Sequence, residues 1–205
     1  PRNDGERGSD ALLQTVDVLV SLLELNDPHF RGSTHRTTHL VRAVADELAL
    51  PSELGREVVL ANLLKDIGKA TVDPALARND EPLVDAQVDA LREHAPAGAR
   101  LLEHSTFPWS VLPAMRHHHE RYDGRGYPDG LKGREIPMGA RIIAVVDAYV
   151  AMGSPRPHRP PMPAEQAVEE LERNAGQQFD PEVVEALIRV LEKSPGSSDG
   201  ARPSI

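Results

Sequence analysis

Apolar residues recur every three to four positions along most of the chain, and this helical period is the strongest constraint on what it can fold into. Leu12, Leu13, Val16, Leu19, Val20 and Leu23 form one stripe, which Asn26-Asp27-Pro28 ends. Leu40, Val41, Val44, Ala45 and Leu48 form the next, on a helix opening near Ser33. Pro51-Ser52 then opens a helix that runs to about Asp66 and is closed by Gly68. The pattern from Val84 to Leu102 is expected to break at Pro96, and Pro108 precedes a short helix from Trp109 to His119. Helical spacing resumes at Ala140, Ile143, Ala144, Asp147 and Ala151, and again from about Ala164 to Asn174. Asp180-Pro181-Glu182 reads as an N-cap followed by proline at the first helical position of a last helix, ending near Lys193. Aromatics make up only 3% of the chain, which disfavours a β-sandwich, so the fold class expected is all-α.

Two stretches lack the period. Residues 120–137 hold Gly124, Gly126, Gly130 and Gly133 with Pro128 and Pro137, and compact domains keep a loop of that length mainly for function. Residues 154–163 contain five prolines. The polar stretch 1–10 is expected to be a linker remnant of a longer chain with a receiver or sensor domain upstream, 11–193 the domain itself, and 194–205 a disordered tail.

A net charge of -9 argues against a nucleic-acid polymer or an anionic membrane as partner, because both are held by excess Lys and Arg. With no cysteine, any metal needs imidazole and carboxylate ligands. No apolar run approaches the roughly 20 residues that span a bilayer, and the expected location is the cytoplasm.

The ligand-type residues are dispersed: Asp66 at a helix end, His94, the run His117-His118-His119-Glu120, and Asp147. Taken singly, His94 reads as a helix-end histidine and the triple histidine as a solvated patch. Asp147 is different. It sits among Ile142, Ile143, Val145 and Val146, where an unpaired charge costs several kcal/mol, so it requires a cation.

In order along the chain stand Lys65-Asp66-Ile67-Gly68-Lys69, then His94-Ala95-Pro96-Ala97-Gly98, then His118-His119-Glu120-Arg121-Tyr122-Asp123-Gly124-Arg125-Gly126-Tyr127-Pro128-Asp129-Gly130-Leu131. Ala140-Arg141-Ile142 through Asp147, Arg156-Pro157-His158-Arg159 and Gln178-Phe179-Asp180-Pro181 follow. From about Leu22 to Leu191 this series resembles the HD-GYP family of metal-dependent phosphohydrolases. The resemblance implies an HD-domain-like helical bundle with a long GYP loop, binding two or three metal ions and hydrolysing cyclic di-GMP. It assigns metal ligation to Asp66, His94, His118, His119 and Asp147, and catalysis, if the domain is active, to Asp66 and Lys69. Lys69 matches a family lysine near the substrate phosphate, and Arg121 and Arg125 add local positive charge as further candidate phosphate contacts. Asp123, Gly124, Gly126, Tyr127 and Pro128 form the loop, with Tyr127 and Pro128 presented at the surface to contact GGDEF-type domains.

The chain departs from the family pattern at two ligand positions. Lys65 stands where the signature histidine is expected, and an ammonium has no lone pair to offer a metal. Ser33 stands where a helix-opening histidine is expected, three residues before Arg36. His35 and His39 lie opposite the apolar stripe and are expected to face solvent. Val150 replaces a further aspartate. The site is thus expected to be partial, holding one divalent transition metal (iron, manganese, zinc or nickel) with the second position lost. Lys65 is expected to stand in for the missing ion by pairing with Asp66 or Asp147, and Arg141 to have a structural partner. The functional expectation is a hydrolytically impaired signalling domain that binds protein partners or cyclic di-GMP, with homodimerisation through the first and last helices as a further role. The alternative is an active phosphodiesterase whose altered metal centre is mononuclear or completed by a further ligand such as His117 or His35.

Overall fold

The computed structural model describes the backbone of residues 4–24, 33–73, 84–155 and 160–193, and the side chains in these spans except at 4–7, 9, 10, 21–24 and 33–35. The helices are α1 (Asp4–Glu24), α2 (Ser33–Glu47), α3 (Ser52–Leu64), α4 (Asp85–Arg92), α5 (His94–Leu101), α6 (Val111–His117), α7 (Met138–Met152), α8 (Ala164–Arg173) and α9 (Pro181–Lys193), with short 3-10 turns at Ile67–Thr71 and Gly133–Glu135. No strand occurs among the described residues, so the all-α expectation holds. No described helix is long and apolar enough to cross a membrane.

Long apolar runs within a helix must be surrounded, and two such runs are. Along α3, Val58, Val59, Leu60, Ala61, Leu63 and Leu64 are all buried, as are Ile142, Ile143, Val145, Val146 and Val150 along α7. Around this pair pack α2, α6 and α9, with α1 against α3 and α8 against α7. Val150, at the position where an aspartate was expected, is part of this core at 3% exposure. Two polar ties brace the bundle. Glu47 at the end of α2 accepts from Arg189 Nε at 2.9 Å and Lys193 Nζ at 2.5 Å on α9. Arg141 on α7 reaches Asp180 at 2.5 Å and the Ile136 carbonyl at 2.9 Å, giving it the structural partner expected. Asp180 also accepts the Glu182 N–H at 2.9 Å, so it caps α9 as the sequence predicted.

Several boundaries differ from the sequence reading. Helical backbone begins at Asp4, inside the stretch expected to be linker. The break expected at Pro96 falls at Glu93, because Pro96 occupies the first turn of α5, where its missing N–H has no partner to lose. The helix expected to reach His119 stops at His117, leaving His118 and His119 in the turn that starts the loop. The linker residues 1–3, the tail 194–205 and the motif Arg156-Pro157-His158-Arg159 lie outside the described residues.

Candidate metal centre

The 3-10 turn that follows α3 and the middle of α5 meet through two glycines. A Cβ on Gly68 would lie 2.0 Å from the His94 carbonyl oxygen and 2.5 Å from the Gly98 nitrogen, so only glycine permits this approach. The contact sets the turn Lys65–Asp66 beside His94. The core position of α7 brings Asp147 to the same place, and the end of α6 delivers His118 and His119.

Three imidazoles converge. His94, His118 and His119 each offer a ligand atom within 4.8 Å of the others. His94 Nδ1 lies 2.6 Å from the Leu91 carbonyl and His118 Nδ1 lies 2.6 Å from the Met115 carbonyl. A carbonyl only accepts, so Nδ1–H donates in both rings and Nε2 keeps its lone pair. The Nε2 of His118 is buried without a hydrogen-bond partner, a costly state for an acceptor. His119 Nε2 and His94 Nε2 are 3.3 Å apart. Two nitrogens bound to one tetrahedral ion at about 2.0–2.1 Å are separated by about 3.3 Å, so the residues present fit a single metal ion. Burial holds His118 down to about 3, with Lys65 adding to the effect, and holds His119 down to about 2, with His118 next in weight. Burial also lowers His94. All three rings are neutral at neutral pH, the form that binds metals.

The carboxylates are engaged elsewhere. Lys65, 7% exposed, pairs with Asp66 and, at 3.3 Å, with Asp147 Oδ1. The ion pair expected of Lys65 is formed, and with both carboxylates rather than one. Lys69 Nζ lies 2.8 Å from the other oxygen of Asp66, which is itself 3.6 Å from His94 Nε2. Burial works against the charge on Lys65, but Asp66 and Asp147 outweigh it and raise the ammonium above its ordinary range. Burial likewise resists the Asp66 charge, and Lys65, Lys69 and His118 override it, holding the carboxyl well below the usual range.

The GYP loop closes over the histidines. Tyr127, expected at the surface, is half-buried instead, its ring stacked on His119 with centroids 4.9 Å apart and Arg92 5.4 Å above it. A neutral aromatic face finds more to bury against an imidazole than in water. Burial pushes the Tyr127 hydroxyl up to about 12. Gly126 allows the fold-back: a Cβ there would lie 2.2 Å from the Arg121 nitrogen and 2.5 Å from the Glu120 Cα. Arg121 is spent on Asp123 at 2.8 and 3.1 Å, and Asp123 also accepts the Arg125 N–H at 3.1 Å; the Arg125 side chain is exposed.

Two further expectations change. His117 cannot complete the centre, because its Nδ1 lies 2.8 Å from the Pro113 carbonyl and its Nε2 2.8 Å from Asp129. His39 is exposed, as expected, while the side chains of Ser33 and His35 lie outside the described residues. Glu120, counted among the ligand-type residues of the sequence, serves the loop instead. It is 4% exposed, and its Oε1 accepts the N–H groups of Asp129 at 2.7 Å and Gly130 at 3.0 Å, pinning the loop from beneath. Beside the histidines a cleft of about 200 Å³ is lined by His118, His119, Arg121, Asp147, Gln178 and Phe179, among others.

Comparison with known proteins gives a consistent picture. A family profile described as HD domain matches residues 17–183. The cyclic di-GMP phosphodiesterase of Thermotoga maritima is 37% identical over 186 residues, covering 90% of this chain and 50% of that protein. The cyclic di-GMP phosphodiesterase response regulator RpfG of Xanthomonas campestris pv. campestris is 34% identical over 200 residues, covering 94% and 53%. This chain therefore spans about half the length of these relatives. Among solved structures, a cyclic GMP-AMP specific phosphodiesterase of Vibrio cholerae superposes with a TM-score of 0.69 at 18% identity, covering 89% of this chain and 49% of that one. An HDG"Y"P protein from Bdellovibrio bacteriovorus gives 0.66 at 18% identity, covering 90% and 62%. At that identity the structures speak to the fold.

Proposed function

Because the chain belongs to the HD domain family, in its HD-GYP form, we propose that it is a signalling domain of the cyclic di-GMP pathway whose hydrolysis is impaired and which acts by binding. The observation that carries this reading is the Lys65 ammonium held between Asp66 and Asp147. In a paired-metal hydrolase those carboxylates bind cations, and adjacent ions polarise the phosphoryl group and lower the pKa of water. Here a protonated amine pairs with both carboxylates but offers no coordination site and no water activation. His94, His118 and His119 would hold one metal, which would supply Lewis acidity toward a phosphate oxygen. Around it the chain's own groups bind and orient: Tyr127 covers His119, Lys69 holds one oxygen of Asp66, and Arg121, paired with Asp123, lines the adjoining cleft. The outer face of the GYP loop, with exposed Arg125, is the surface offered to GGDEF-type partners.

The test is release of linear pGpG from cyclic di-GMP by protein supplied with manganese or iron. Turnover at the no-enzyme background is expected, and metal-dependent turnover near that of an intact relative would overturn the proposal. The rival reading, an active phosphodiesterase with an altered centre, is favoured by the convergence of the three histidines and by the names of the relatives. Two equivalents of tightly bound transition metal per chain would support it.

A further inference from the structure

Resting on that reading of the site, we infer that the centre binds a single ion of the zinc class through His94, His118 and His119, in preference to iron or manganese. The ligand atoms are all nitrogen. His94 and His118 are fixed in one tautomer by their Nδ1 bonds to backbone carbonyls, and His118 Nε2 is buried and unpartnered. His119 Nε2 stands 3.3 Å from His94 Nε2, the spacing of two ligands on one ion.

Oxygen ligands are what manganese leans on most, and non-haem iron(II) sites add a carboxylate to their histidines; here the carboxylates are held back. One oxygen of Asp66 pairs with Lys65, the other with Lys69 at 2.8 Å, and Asp147 Oδ1 pairs with Lys65 at 3.3 Å. The two ammoniums cancel the two carboxylates, so these neighbours give a dication no net negative field. Neutral imidazoles then decide selectivity. Imidazole suits zinc well, and along the first-row series a nitrogen site binds zinc more tightly than iron or manganese. Lys65 thus acts as a specificity-determining residue: by occupying the carboxylates it leaves the nitrogen set to choose the ion.

The inference is tested with metal-free protein titrated in parallel with zinc and manganese against a chromophoric chelator, with stoichiometry from elemental analysis. One equivalent of zinc, bound at least ~100-fold more tightly than manganese, is expected. Equal affinity for the two ions, or two equivalents of either, would overturn it. Lys65→Met frees Asp147 and one oxygen of Asp66, the other staying with Lys69, and should raise manganese affinity, narrowing the ratio by about tenfold or more. Lys65→Arg keeps the charge and should leave the ratio in place. An unchanged ratio in a folded Lys65→Met protein would sink the role given to Lys65. His118→Ala should abolish tight zinc binding, and retention of it would place the ion elsewhere. These readouts are independent of turnover: hydrolysis by zinc-loaded protein would defeat the proposed function while leaving the metal preference standing.

Discussion

Lys65 illustrates how one side chain can change what a site does without dismantling it. A histidine at its position would leave Asp66 and Asp147 open to cations from solution, whereas the lysine brings its own. The arrangement also ties the end of α3 to the middle of α7, since Asp147 lies on that helix. Removing the ammonium leaves Asp147 without its partner and Asp66 with Lys69 alone. Breaking a fully buried pair costs about 3–5 kcal/mol, and because the Asp147 side chain is 37% exposed the expected loss for Lys65→Met is smaller, about 2–3 kcal/mol. Urea denaturation of metal-free protein measures it, and a change below about 0.5 kcal/mol, the size typical of surface substitutions, would show that the pair contributes little.

At the scale of elements, the GYP loop is a lid built by its glycines and its anchoring carboxylate. Its length and composition announced a functional loop, but the direction of Tyr127 did not follow from them. That ring turns inward because His119, delivered by the end of α6, offers a stacking partner, and no local pattern encodes a contact between a turn and a loop. The same holds for His117, whose two ring nitrogens are claimed by Pro113 and by Asp129 on the loop. Gly126→Ala places a methyl group against the backbone of Glu120 and Arg121, and relief requires the loop to move as a unit. The expected cost is about 1–3 kcal/mol, with faster proteolysis in 120–137 as the corroborating signal. A second element-scale case is Asp180, which serves both Arg141 and the first turn of α9. Asp180→Ala strands a guanidinium in a site where the Arg141 side chain is only 10% exposed. A loss of about 3–5 kcal/mol is expected, and thermal denaturation showing less than 1 kcal/mol would mean that water replaces the pair.

Across the whole molecule, the helical period was enough to place most elements, because the helices turn apolar stripes toward the core that residues 58–64 of α3 and the buried residues of α7 fill. The site was less legible. Asp66, His94, His118, His119 and Asp147 are scattered over some eighty positions, and only the ordered motifs linked them before the Gly68–Gly98 contact gave a physical reason. Enclosing neutral histidines has a consequence for stability against acid. In the folded, metal-free protein His118 titrates at about 3 and His119 at about 2, both lowered mainly by burial, and His94 is lowered for the same reason. In the unfolded chain each returns to about 6.5. Between these values the unfolded state binds more protons, so stability rises with pH through the window; it is fully present above about 6.5 and drains away as pH falls toward the folded values. The expected slope is roughly 1.4 kcal/mol per pH unit for each histidine that stays neutral in the fold. Asp66, held low chiefly by Lys65 against the cost of burial, adds its own loss only below about pH 4. Urea denaturation of metal-free protein should therefore change little between pH 7.5 and 7 and weaken steeply from 6.5 to 5. The slope should be shallower in His119→Gln, which removes one titrating ring from the cluster. A flat profile between pH 6.5 and 5 would mean that the rings already carry protons in the folded state, and that the three nitrogens do not form a preorganised neutral ligand set.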